Sequence, residues 1–344
     1  MIHIKREGVI LEATNFEFEN ESVMNPAVIV AGGKIHMFYR AVRVGNMSSI
    51  GYCRLENPLK VVYRKKEPIL FPEFEYEKHG MEDPRIVKLE DTYYMTYTAY
   101  DGDNAVGALV TSKDLKHFTR AGIITSQVTY PQFIEWLAND KHPHTYKYFR
   151  LYNQRQSRTQ TGKQLYLMDK DLVMFPHKIN GKIFFLHRIR PDIQSVSIDK
   201  IENLTPDFWE KYYSNFNSHI FFKHRYDFES SYIGAGCPPI KVDAGWLMIY
   251  HSVYDTPEGY VYSASAALLN KYNPSIEIAR LPYPLLMPEK DYETQGVVDH
   301  VCFPTGAIIW DDILYIYYGA ADKCIACASV PVRELIDELL NYRK

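Results

Sequence analysis

Hydrophobic and polar positions alternate along most of this chain, and the alternation recurs as a unit. A proline with a few apolar residues leads into a polar turn, an alternating aromatic run, and often a run of Ala, Ser and Val. The first unit starts at Asn25-Pro26, turns at Gly32-Gly33 and continues through Ile35–Arg40. The second starts at Asp83-Pro84, turns at Glu90-Asp91 and continues through Tyr93–Thr98. Phe175-Pro176, Asn180-Gly181 and Ile183–Arg188 make the third; Pro238-Pro239, Asp243-Ala244-Gly245 and Leu247–His251 the fourth; Phe303-Pro304, Asp311-Asp312 and Leu314–Tyr318 the fifth. Period-two runs around short polar turns predict β-hairpins. Third strands follow at Ala105–Val110 and Tyr262–Leu268. Small antiparallel sheets repeated along a chain predict an all-β, five-bladed β-propeller, whose blades stack about one axis and protect their edges. A β-sandwich, the alternative, has no need of five such repeats.

Two stretches interrupt the repeat. Residues 125–165 hold the aromatic run Gln132–Leu137, then a basic stretch with Lys141, Lys147, Arg150, Arg155 and Arg158. Residues 200–228 contain Thr205-Pro206-Asp207, a threonine cap followed by proline at the first helical position, which predicts a short helix. Val332, Leu335, Ile336, Leu339 and Leu340 recur at helical spacing and predict a C-terminal helix packed on the sheets. No linker rich in Pro, Gly or Ser divides residues 1–344, so a single domain is expected.

Composition adds little against this picture. The 28 tyrosines and 17 phenylalanines favour strands and suit sugar-stacking surfaces. A formal charge of −3 gives no basis for nucleic-acid or membrane binding. The first residues lack an apolar leader and no long apolar run follows, so a soluble cytoplasmic protein is expected. Five cysteines do not read as a disulfide framework. Cys324 and Cys327 lie three apart in an alternating run, so they face opposite sides of a strand and read as buried thiols. No zinc, calcium or phosphate-loop pattern is present, and no metal or cofactor is expected.

The candidate chemistry centres on Gly80-Met81-Glu82-Asp83-Pro84-Arg85. Pro84 fixes its own φ and favours extended backbone at Asp83, which would hold a carboxylate at a rigid strand entry. In a propeller, equivalent strand ends meet at the axis. Asn25, Asp83, Phe175, Cys237 or Pro238, and Phe303, each at or before a proline, are therefore expected to face one funnel, with Asp83 its acid. Partner strands should bring Tyr39-Arg40, Tyr97-Thr98, His187-Arg188, His251-Ser252 and Tyr318-Gly319 to the same place, with Asp322 just beyond. Glu82 should alternate away, while Arg85 steadies carboxylates or contacts sugar. One acid ringed by cations suits inversion at a sugar carbon by an anionic nucleophile. An inverting hydrolase needs a second carboxyl to activate water. A phosphorolytic enzyme needs instead charge-assisted donors for phosphate, with arginine the best suited.

These stretches, with Thr96–Asp101, Asp169-Lys170-Asp171, Phe175–Ile179, Leu186-His187-Arg188, Gly234-Ala235-Gly236, Ile249-Tyr250-His251 and Tyr317–Asp322, resemble glycoside hydrolase family 130. That family consists of five-bladed propellers and includes β-mannoside phosphorylases and some β-mannosidases. The resemblance implies that Asp83 is the proton donor, acting through a hydroxyl of the mannosyl unit. It implies that Arg188, His251 and Tyr262, joined by Lys170, hold phosphate. Asn25, Arg40 and Asp322 then fall in the mannose pocket, with Glu82, Arg85 and Tyr97 as further substrate contacts. The implied substrates are a β-mannoside disaccharide or oligosaccharide and inorganic phosphate, and the product is α-mannose 1-phosphate. An inverting β-mannosidase using Asp322 or another carboxylate, and a binding propeller without turnover, are the alternatives. Three departures from the family pattern stand out: Tyr232 at a frequent lysine position, Arg190 as a second arginine beside Arg188, and Asp299-His300. The two insertions are expected to shape the acceptor side of the pocket or a contact between copies in a homo-oligomer.

Overall fold

The polar turns that separate the apolar runs are built by residues in left-handed backbone. Gly32 and Gly33 have φ of 56° and 68°, Asn180 and Gly181 50° and 78°, and Asp311 and Asp312 50° and 60°. Two successive residues with positive φ match the twist of flanking strands, which is why such pairs close hairpins. The computed structural model describes residues 2–137, 143–158 and 164–343.

After β1 (Lys5–Leu11), the strands come in antiparallel runs. The first is β2 (Ser22–Ala31), β3 (Lys34–Arg43), β4 (Met47–Asn57) and β5 (Lys60–Arg64). The second is β6 (Gly80–Leu89), β7 (Thr92–Tyr100), β8 (Ala105–Ser112) and β9 (Phe118–Ile123), joined to the first by a parallel pairing of Ser48 with Gly80. Then follow β10 (Lys170–Met174), β11 (Ile183–Arg188), β12 (Ile193–Ile198) and β13 (Ile220–Phe222). The fourth run holds β14 (Tyr232–Ala235), β15 (Ile240–Val242), β16 (Gly245–Thr256), β17 (Gly259–Leu269) and β18 (Glu277–Arg280). The last is β19 (Cys302–Trp310), β20 (Ile313–Ala320) and β21 (Cys324–Pro331), completed by β1 against β21. Among the described residues the strands form sheets of eight, five, four and four strands, so the chain is all-β with few helices.

Apolar cores lie between successive runs. Phe38 and Ile50 meet Ile86 and Met95; Val87 and Leu109 meet Leu172 and Phe185; Leu186 and Ile193 meet Trp246 and Met248. Leu247 and Leu268 pack on Leu314 and Ile316, and Ile308 and Tyr317 pack back on Val28 and Met37. Cys324 belongs to one of these cores and Cys327 to another, on opposite faces of β21, and all five cysteines are buried free thiols.

Helices sit at the interruptions. They are α1 (Tyr130–Trp136), α2 (Pro143–Arg158), α3 (Pro206–Tyr213), α4 (Asp291–Thr294) and α5 (Val332–Leu340). Thr205 caps α3 by accepting from the Phe208 amide at 3.3 Å, as its sequence predicts. In α5, Leu335 and Leu339 are fully buried, whereas Leu340 turns outward. The basic stretch, for which the sequence predicts no element, forms α2; Lys141 and the side chain of Arg158 lie outside the described residues.

A buried clasp recurs in four runs and corrects the expectation for Tyr97. Its hydroxyl donates to Glu77 in the core, away from the candidate site, and Arg120 pairs with the same carboxylate at 2.7 Å. Tyr39, Glu19 and Arg64 repeat the arrangement, as do Tyr250, Glu229 and Arg280, and Tyr318, Glu293 and Arg6. All four glutamates have 0 % exposure, so each needs both its tyrosine and its arginine. In the third run His187 takes the tyrosine's place. Its Nδ1 lies 2.9 Å from Asp169 and its Nε2 2.7 Å from the Tyr212 hydroxyl, which makes it a core residue rather than a funnel residue.

Candidate active site

Three first strands carry an acid or amide in left-handed backbone at a break in register. Asn25 has φ 50°, Asp83 51° and Asp171 56°. The breaks fall between Met24 and Ala27, Glu82 and Arg85, and Lys170 and Val173. Asp83 is therefore not extended, contrary to the sequence expectation. A following proline disfavours the right-handed helical region, and the short polar side chains of Asn and Asp make the left-handed one accessible. Such backbone costs about 1–3 kcal/mol per residue and collects at functional sites.

The same bulge overturns the alternation expected of Glu82. Its carboxylate turns toward the site, with Oε1 2.9 Å from Arg40 and Oε2 3.2 Å from Lys170. Phe175 and Cys237 do not face the site. Phe175 packs edge-on against Trp246 and Phe184, and Cys237 is in the core between the fourth and last runs. Their prolines follow β10 and β14 rather than interrupting them. The position in the third run equivalent to Asn25 and Asp83 is Asp171, which no proline marks.

Asn25, Arg40, Asp83, Lys170, Arg188, His251, Tyr262 and Asp322 line one cavity of about 190 Å³, together with Asp171, Arg190, Tyr232 and Phe303. On one side, Asn25 Nδ2 donates to Asp83 Oδ1 at 2.7 Å. Arg40 lies 3.7 Å from the same oxygen and is held by Ser48 at 2.8 Å and by Glu82. Burial pushes the Asp322 carboxyl up to about 6; Arg40 opposes this, but the charges of Asp83 and Glu82 reinforce it. Gly319 is required here, because a Cβ would overlap the Asn25 amide.

On the other side, Arg188 Nε donates to Asp171, and His251 Nε2 lies 3.6 Å from the same oxygen. Burial works against the Asp171 charge, but Arg188 above all holds its carboxyl down to about 2. Burial drives the His251 imidazole down to about 3, aided by Arg188, Arg85 and Arg190 against Asp171. At neutral pH the ring is uncharged, so its contact with Asp171 is not an ion pair. Neither ring nitrogen has a hydrogen-bond partner among the described residues. A Cβ on Gly234 would overlap both the His251 ring and the Asp171 carboxylate, so glycine permits their approach.

The Tyr232 and Tyr262 hydroxyls are 2.7 Å apart, and burial keeps Tyr262 protonated well above the usual tyrosine range. Arg85 forms the buried wall behind both sides. It donates to the backbone carbonyls of Asp83, at 2.9 Å, and of Gly236. Of the residues given a role by the family resemblance, all but Tyr97 thus line this cavity or form its wall, whereas Phe175, Cys237, His187, Tyr39 and Tyr318, expected at the funnel from the repeat, lie in the core. Asp171 falls in the Asp169-Lys170-Asp171 stretch that resembles the family, and Arg190 is the second arginine beside Arg188. The sequence alone gives neither a role.

A second cavity of about 300 Å³ shares Lys170, Arg188 and Arg190 with the first. Its other walls include Tyr130, Leu151, Tyr152, Leu167, Ile189 and Tyr260. α2 supplies Leu151 and Tyr152, and is tied down where Lys147 meets Asp255 at 3.0 Å and Arg155 donates to the Asp103 carbonyl. The arrangement can hold an acid and a buried set of cationic and neutral donors around one small ligand, with a larger, partly apolar space beside it. Among the described residues no group of three or more His, Cys, Asp or Glu is placed to bind a metal ion, and no helix is long and apolar enough to cross a membrane.

A family model described as beta-1,4-mannooligosaccharide phosphorylase matches residues 4–341. A 1,2-beta-oligomannan phosphorylase of Thermoanaerobacter sp. (strain X514) is 31% identical over 97% of this chain and 99% of its own. The solved structure of a Listeria innocua beta-1,2-mannobiose phosphorylase with beta-1,2-mannobiose superposes with TM-score 0.72 at 23% identity, over 98% of this chain and 99% of that one. Another structure aligns with TM-score 0.71 at 25% identity, over 96% and 94%; it comes from work on hydrolases within the mannoside phosphorylase family that target β-1,2 linkages in Candida mannan.

Proposed function

The chain belongs to glycoside hydrolase family 130, and from that premise we propose that it is an inverting β-mannoside phosphorylase. The observation that carries this reading is the shared cavity. Asp83 borders it together with the Arg188, His251 and Tyr262 set, whose donors suit a phosphate. In this reading a phosphate oxygen attacks the anomeric carbon from the face opposite the glycosidic bond. That bond breaks, Asp83 supplies the proton that ends on the leaving oxygen, and α-mannose 1-phosphate and a shortened saccharide result.

Arg40, Asn25 and Asp322 bind the mannosyl hydroxyls, with Glu82 orienting Arg40 and Lys170. Lys170 stands where the two cavities meet and completes the phosphate side. Arg85 is a positioning residue for the backbone at Asp83. The second cavity takes the leaving saccharide.

The cyclic packing of five antiparallel runs, each on the next and the last on the first, supports one five-bladed propeller domain. Inorganic phosphate is the co-substrate and no other cofactor is invoked. Buried free thiols suit a reducing, cytoplasmic setting. Hydrolysis is the second reading. It is favoured by Asp322, a second buried carboxyl in the same cavity.

The test is a panel of β-1,2- and β-1,4-mannosides assayed with and without inorganic phosphate, using the wild type and Asp83→Asn. Phosphate-dependent mannose 1-phosphate is expected, with turnover reduced about 10²–10⁴-fold in the variant. Free mannose formed equally fast in both conditions removes the phosphorylase reading. No product from any mannoside leaves a binding propeller.

A further inference from the structure

The cations that border the site are not equally available to an incoming anion. Arg40 is committed to Glu82 at 2.9 Å and lies 3.7 Å from Asp83. Lys170 is 3.2 Å from the other Glu82 oxygen. Arg188 is bonded to Asp171. Each of these cations already has a carboxylate partner within the wall, Glu82 being shared by Arg40 and Lys170, and Arg85 behind them is engaged by the carbonyls of Asp83 and Gly236. Asp171 moreover puts a fixed negative charge, fully ionised at neutral pH, on the side where an anion would have to sit.

Arg190 differs from all three. Among the described residues no carboxylate lies within ion-pair distance of it, and it reaches the same cavity. Its guanidinium lies 3.9 Å from the centre of the Tyr232 ring, while that of Arg188 lies 4.8 Å from it. An arginine held over an aromatic ring keeps all five N–H donors in its plane for another partner. The ring itself is buried and is fixed through its hydroxyl to Tyr262. Tyr232 therefore acts as a platform that holds a guanidinium at the cavity without neutralising it.

We propose that Arg190, held on Tyr232, is the anion-determining residue of this site: it supplies the uncompensated positive charge that recognises inorganic phosphate. Arg188, offset by Asp171, then serves chiefly as a directional donor. The inference rests on the phosphorolytic reading and extends it to a residue that the reading does not need. Because Arg190 also borders the second cavity, the competing role is recognition of the leaving saccharide.

The test is initial-rate kinetics of wild type, Arg190→Met, Arg190→Lys and Tyr232→Leu, with phosphate and mannoside varied independently. Loss of one charge-assisted contact predicts a KM for phosphate about tenfold to a hundredfold higher in Arg190→Met. The KM for mannoside should stay within about twofold, a change far below one such contact. Arg190→Lys should recover part of the loss, and Tyr232→Leu should weaken phosphate binding in the same direction. A phosphate KM that does not change in Arg190→Met, in a wild type whose turnover needs phosphate, overturns the inference alone. So does a loss confined to the mannoside or acceptor. Phosphate-independent turnover by the wild type overturns the phosphorolytic reading and this inference together.

Discussion

Asn25 donates to Asp83 across two neighbouring sheet runs, and both residues hold left-handed backbone immediately before a proline. Each lies at the register break of its own first strand, so two copies of one local device meet at the site. The device has a chemical use. A bulge rotates a short polar side chain out of the pleat and toward the end of the sheet, where period-two alternation would not put it. Asp83 gains an oriented amide on one oxygen without a salt bridge closer than the 3.7 Å of Arg40. The amide thereby fixes the orientation of the Asp83 carboxyl at the site.

The clasp of Glu77, Tyr97 and Arg120 makes a prediction about stability that is separate from catalysis. Glu77→Gln leaves Arg120 largely buried and without its main counter-charge. Breaking one side of such a pair costs about 3–5 kcal/mol. Urea unfolding should show a loss of that order, while the folded variant keeps the wild-type KM for phosphate and mannoside. A change in KM with unchanged stability would return Tyr97 to the substrate site.

What the sequence made legible was mostly local. Alternation around Asn180-Gly181 and Asp311-Asp312 specifies hairpins because those residues accept the backbone the turn requires. The cap at Thr205 and the opposed faces of Cys324 and Cys327 follow from equally local rules. The misplaced residues all depended on tertiary register. Proline marks the bulge at Asp83 but not at Asp171, so aligning the repeats on prolines points to Phe175 in place of Asp171 in the third run, and to Cys237 in the fourth, where the prolines lie beyond β14. Glu82 was misdirected because alternation fails inside a bulge. Tyr97 was misassigned because its partner is 20 residues away. A signal for that contact was available. An aromatic–acid–aromatic–Glu pattern occurs at Phe16–Glu19, Phe74–Glu77 and Tyr226–Glu229, and its glutamates lie 20, 20 and 21 residues before their tyrosines.

Asp322 contributes a distinct part of the expected pH dependence of folding. Its carboxyl is raised from the ordinary 3.8 to about 6, so the folded chain holds this proton more tightly than the unfolded chain does. The stability it contributes is full below 3.8 and is lost as pH rises through about 6. The difference corresponds to about 3 kcal/mol. Between pH 4 and 7, the wild type should therefore lose about that much stability relative to Asp322→Asn, measured by denaturant unfolding at each pH. Parallel curves for the two proteins would mean that the carboxyl is not held protonated.

The interruption at α2 carries the remaining prediction, about which saccharide leaves. Leu151 and Tyr152 face a cavity that shares three cations with the catalytic one, and Lys147 and Arg155 fasten the helix to the end of β16 and to the loop between β7 and β8. A helix added for solvent exposure alone has no reason to present a leucine to that space. If the cavity receives the leaving saccharide, an added methylene's worth of contact changes discrimination by about 10–200-fold, and removing several should be felt in the acceptor alone. Leu151→Ala and Tyr260→Ala are therefore expected to raise the acceptor KM in the synthetic direction, and to alter the preference between disaccharide and longer mannosides. The phosphate KM and the Asp83-dependent rate should stay at wild-type values. An unchanged acceptor KM, together with a changed oligomer size by light scattering, would assign α2 to contacts between copies of the chain instead.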